Sequence, residues 1–82
     1  MTVKEAILVA LRAGDPRLTP NEVLRMDVLA MPVEFMPLAE FEKLLEIMES
    51  KKLILGIYDE LDCVRKWKLT ERGRAILLEK GR

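Results

Sequence analysis

Among the residues able to do chemistry, five cations near the C-terminal end stand close together: Arg65, Lys66, Lys68, Arg72 and Arg74, with Glu71 the only acid between them. Such side chains grip phosphate oxygens, arginine through a planar fork and lysine as a point charge. A surface that neutralises several phosphates binds with steep salt dependence. A second group is acidic: Glu40, Glu42, Glu46 and Glu49, opposed over that span by Lys43 alone. Carboxylates at this density repel phosphates and attract cationic partners. Nothing points to catalysis. The chain has no histidine, and so lacks the commonest general base and zinc ligand. Its carboxylates follow solvated helix faces rather than a buried acid–base pair. The lone cysteine, Cys63, cannot close a disulfide within the chain. It reads as an ordinary strand residue, although Arg65 and Lys66 nearby would stabilise a thiolate. The expectation is a non-enzymatic protein with no cofactor and no metal.

The elements that must position these groups are legible from spacing. Thr2-Val3-Lys4-Glu5 has the form of a capping box, and Val3, Ile7, Leu8 and Leu11 recur at helical intervals. Ala13-Gly14-Asp15-Pro16 ends that helix, with Gly14 suited to a left-handed terminal turn. Thr19-Pro20-Asn21-Glu22 repeats the capping-box pattern, with Pro20 at the first helical position. Val23, Leu24, Val28 and Met31 follow on one face, and Pro32 should stop the helix. A third helix runs from Pro37 to about Ser50, with Leu38, Phe41, Leu44, Leu45 and Met48 as its apolar stripe. Leu53–Tyr58 then reads as a strand, Asp59–Asp62 as a polar turn, and Cys63–Leu69 as a second strand. In that second strand Arg65, Trp67 and Leu69 share one face, while Val64, Lys66 and Lys68 share the other. Thr70 caps a last helix to about Lys80, with Ala75, Ile76 and Leu77 or Leu78 turned inward.

Size and composition bound the rest. Eighty-two residues make a single domain over 1–82. Half of them are hydrophobic and 34% charged, which is a globular composition. No apolar run approaches the ~18 residues of a membrane span. The first residues lack a signal peptide's apolar core, so a cytoplasmic setting without membrane partners is expected. The formal charge of zero conceals an uneven distribution: residues 1–50 carry five basic and nine acidic side chains, and residues 51–82 the reverse, nine and five. One part can therefore suit a polyanion although the total is neutral.

Helix, helix, helix, two-stranded hairpin, helix is the order of a winged helix-turn-helix domain, an α+β and mainly helical class. Two passages carry the likeness: Phe41 through Ile54, a third helix running straight into a strand, and Trp67-Lys68-Leu69-Thr70-Glu71-Arg72-Gly73-Arg74-Ala75, the exit from the hairpin. The chain resembles winged-helix transcriptional regulators of the PadR and MarR kind. That resemblance implies double-stranded DNA as partner, with the third helix in the major groove and the hairpin wing, residues 55–68, along the phosphate backbone. It departs at Lys52, where the family commonly has a glycine in a left-handed turn. A lysine keeping that geometry is strained by roughly 1 kcal/mol. It departs again at the acidic third helix, since groove readers normally present Arg, Lys, Asn or Gln.

Two functional readings stay open. In one, the protein regulates transcription by holding DNA mainly through Arg65, Lys66, Lys68, Arg72 and Arg74. In the other it binds a partner protein, or a second copy of itself as a homodimer, without DNA. That surface would comprise Glu40, Glu42 and Glu46 with Met26, Met31, Val33, Phe35 and Met36 of the unusually apolar connection 26–38. The methionines there suit an adaptable binding face and equally an irregular core. Trp67 is expected to pack in the core rather than stack on a nucleic-acid base.

Overall fold

Thr2 starts the first helix much as its spacing requires. Its hydroxyl oxygen accepts from the Glu5 amide at 3.2 Å, and the same hydroxyl lies 3.2 Å from the Glu5 carboxylate. The computed structural model describes residues 1–82. Its elements are α1 (Val3–Gly14), β1 (Thr19–Pro20), α2 (Asn21–Leu29), α3 (Leu38–Ser50), β2 (Ile54–Asp59), β3 (Val64–Leu69) and α4 (Glu71–Glu79). This is a small α+β domain of four helices and one antiparallel sheet in the order β1-β3-β2. No helix is long and apolar enough to cross a membrane.

The sheet has three strands, where the spacing predicts two. Thr19 and Pro20 pair with Trp67 and Lys66, so Thr19 is a strand residue and not the cap of α2. That helix begins at Asn21, with Pro20 as its extended N-cap and no side-chain cap bond. The physical reason lies far along the chain. Once β3 offers a free edge, pairing there satisfies backbone groups that a local cap would otherwise serve. Asn21 is committed to the same neighbour, its Oδ1 accepting from the Trp67 indole N–H at 3.1 Å.

The core draws on every element of substance: Ile7, Leu8 and Leu11 of α1, Leu24 and Val28 of α2, Phe41, Leu45 and Met48 of α3, Ile54, Trp67 and Leu69 of the sheet, and Leu77 of α4. Trp67 is therefore a core residue. Inward facing is narrower than the periodicity implies. Leu77 is buried, Ile76 half-buried, and Ala75 and Leu78 exposed. Val23 and Leu38 are exposed as well, while Leu24 and Phe41 of the same first turns are the residues that face the core.

Helix ends are set by backbone geometry. Gly14 remains in the helix without a left-handed φ, and the chain leaves through an extended Asp15. Ahead of Pro32, α2 already ends at Leu29. At the end of α3, Lys52 takes φ 65°, the left-handed value normally given to glycine. Its amide donates to Glu49 O at 2.9 Å and that of Leu53 to Met48 O at 3.0 Å. Those bonds close the helix in a Schellman turn and aim the chain into β2. Thr70 then caps α4, accepting from Gly73 N at 3.1 Å, while its hydroxyl lies 2.6 Å from Lys52 O and 2.8 Å from Leu53 O.

Candidate interaction surface

The five cations expected to grip phosphate part company in the structure. Arg65 is held by Glu49 of α3, Nη2 to Oε1 at 3.1 Å, with its guanidinium carbon 4.9 Å from the centroid of the Trp67 ring. Lys66 lies between Asp59 at 2.9 Å and Asp62 at 3.3 Å, two carboxylates of the β2–β3 turn. Hydrogen bonding to Asp59 and then to Asp62 holds its ammonium pKa above the ordinary lysine value. The Asp59 carboxyl is held below its own usual value, first by the Lys66 hydrogen bond. Arg74 reaches back to Asp15 at 2.7 Å. Only Lys68 and Arg72 of the five lack an intrachain ion pair.

Lys68 and Arg72 have company that their own segment does not announce. Lys68 pairs in the sheet with Leu55, and Arg72 sits in the first turn of α4 behind Thr70. The bonds from Thr70 to Lys52 and Leu53 bring the end of α3 to the same place. Lys51 and Lys52, both exposed and without ion pairs, precede the Leu53 backbone that these bonds set beside the start of α4. Their signal in the sequence was adjacency to the strand start, but joining them to Lys68 requires the strand register.

The acidic residues of α3 divide between two flanks. Glu42 and Glu46 line a shallow cleft between α2, α3 and β3, together with Asn21, Glu22, Cys63 and Arg65. Glu49 is bonded to the lining residue Arg65, and its second oxygen accepts the Gly56 amide at 3.0 Å. Glu22 was not singled out by pattern; it shares the cleft with Glu42 because α2 and α3 both border it. With Arg65 already neutralised, the free charges in this cleft are carboxylates. Glu40 is exposed on the other side of the helix. There a second cleft is lined by Met1, Val3, Glu34, Met36 and Leu44.

The connection 26–38 is likewise split. Met31, Val33 and Met36 pack against the core, whereas Met26 is 72% and Phe35 75% exposed. Arg25 fastens the segment to α2 by donating to Met36 O at 3.3 Å. Cys63, at the turn, is an exposed free thiol with φ 53°. Comparison with protein-family models, curated proteins and solved structures gave no match.

Proposed function

We propose that this is a winged-helix domain working as a protein-interaction module, which presents the cleft of Glu22, Glu42 and Glu46 to a basic segment of a partner protein. The order of helices and strands supports the fold part of that reading, with β2–β3 as the wing. One observation carries the functional part: Arg65, the one cation lining the cleft, is already paired with Glu49. The cleft thus has its one lining cation internally matched and its carboxylates unmatched. Partner lysines or arginines would meet the exposed carboxylates in a shallow concave setting, where charge complementarity speeds encounter and selects partners. An exposed unpaired thiol at Cys63 fits a reducing, cytoplasmic setting.

The test is titration of the protein with a fluorescent arginine- and lysine-rich peptide, with a scrambled acidic peptide as control. Saturable binding that Glu42→Lys with Glu46→Lys removes supports the module; equal binding by that variant removes the cleft from consideration. A second reading, regulation through double-stranded DNA, draws on the four unpaired cations Lys51, Lys52, Lys68 and Arg72 at the wing's base. It requires salt-sensitive binding to a random-sequence duplex that Lys68→Glu with Arg72→Glu abolishes. The ion-paired cations Arg65, Lys66 and Arg74 would then contribute little.

A further inference from the structure

We propose that two copies of this chain associate by antiparallel packing of one flank of α3, the flank carrying Glu40, Leu44, Ile47 and Lys51. These residues fall at i, i+4, i+7 and i+11, which on a helix is a single stripe. Lys51 belongs to it because its amide still donates to Ile47 O at 3.1 Å. This stripe lies beside the core-facing side of α3, away from Glu42 and Glu46, which line the other cleft. Leu44 is half-buried and opens onto the cleft of Met1, Val3 and Met36, which Thr2, Lys4 and Glu34 also line. Ile47 is 40% and Met1 41% exposed, so apolar surface lies uncovered at the middle of the stripe. Its ends are charged and unmatched: neither Glu40 nor Lys51 has an intrachain ion pair.

The order acid, apolar, apolar, base selects the occupant. Reversed in direction it becomes base, apolar, apolar, acid, so a two-fold axis sets Glu40 against Lys51 of the second copy and Leu44 against its Ile47. Each contact then occurs twice, as an isologous interface demands. Glu40 and Lys51 stand about 16 Å apart along the axis at ~1.5 Å rise per residue, and the same spacing in the second copy lets both ends match in one register. Parallel packing would oppose like charges at both ends, so the charges fix direction while the leucine and isoleucine exclude water. One helix flank is a small interface, and the dimer is expected to be weak and to dissociate on dilution. It uses a different flank from the cleft of the proposed module, so each stands or falls separately.

Sedimentation equilibrium from micromolar to millimolar concentration tests the inference. The wild-type chain should pass from monomer to dimer, with dissociation strengthened by salt. Glu40→Lys alone and Lys51→Glu alone should each weaken the dimer at least tenfold, and the double variant Glu40→Lys with Lys51→Glu should restore it. Restoration separates lost charge matching from lost folding. Ile47→Asp should leave a monomer whose helical circular dichroism is unchanged. A wild-type monomer at millimolar concentration, single reversals that dimerise normally, or a double variant that stays monomeric would each overturn the proposal. The peptide titration uses Glu42 and Glu46 and reports separately on the other cleft.

Discussion

Glu49 and Arg65 are bonded at 3.1 Å across the gap between α3 and β3, and the same carboxylate covers the Gly56 amide on β2. One side chain thus fixes the angle of the β2–β3 pair to the helix. It also occupies an outward-facing donor of an edge strand, which otherwise offers a pairing site to another chain. Both ion-pair partners are partly solvated, so the charge attraction itself contributes little. The bond to the amide is the more valuable part.

Replacing Glu49 by alanine should therefore cost about 1 kcal/mol, the range of a single net hydrogen bond. Glu49→Gln should retain most of that, because an amide oxygen still accepts from Gly56. Urea unfolding with an unchanged slope measures the difference. The alanine variant also releases Arg65, so its affinity for duplex DNA at low salt should exceed that of wild type.

Lys52 holds a left-handed backbone that its Cβ disfavours. Lys52→Gly should stabilise the protein by roughly 1 kcal/mol, since glycine takes this geometry without steric penalty. Lys52→Ala keeps the Cβ and should gain nothing. A shift of the urea midpoint confined to the glycine variant is the expected result, and equal midpoints for both would contradict the strain argument.

The Trp67 indole N–H is satisfied by Asn21 alone, while the residue is 2% exposed. Asn21→Ala strands a buried donor and should cost about 1–3 kcal/mol. Trp67→Phe removes the donor with its need, so pairing it with Asn21→Ala should cost less than the sum of the two. A double-mutant cycle reads that non-additivity.

Gly73 packs against the Leu53 backbone that joins α3 to β2: a Cβ there would collide with the Leu53 carbonyl oxygen, and would lie 2.7 Å from Leu69 Cδ1. Backbone cannot yield as a side-chain tip can. Gly73→Ala should therefore destabilise by about 3 kcal/mol, the upper end of overpacking costs, despite alanine's better helix propensity. Thermal unfolding gives the answer, and a stabilised variant would mean that α4 sits elsewhere.

The β2–β3 turn should respond to acid. Asp59 has a folded-state pKa below its ordinary value, chiefly through Lys66. Its contribution to stability is therefore complete above the unfolded-state pKa and is lost as pH falls through the lowered one. Lys66, shifted upward, contributes fully below its unfolded-state value and loses that contribution as pH rises through the raised one. Carboxyl-carbon NMR should show Asp59 titrating below the usual aspartate range, and Lys66→Met should move it back up.

What could be read from the residues alone was local. Thr2 and Thr70 cap helices because their side chains meet amides three residues on, and the apolar intervals of α1 and α3 locate a core face within one helix. The tension at Lys52 was visible too, through a family pattern that expects glycine. Tertiary structure alone decided which charges remain free. Arg65 meets Glu49 from 16 residues away and Arg74 meets Asp15 from 59, and no periodicity reports such encounters. The same holds for β1, where local preference for a cap at Thr19 yielded to a partner strand 46 or more residues later. The division of the α3 acids between two flanks also depended on which side of the helix the sheet came to cover. Propensity and capping act over one turn of chain, whereas ion pairing and strand pairing depend on how distant segments pack.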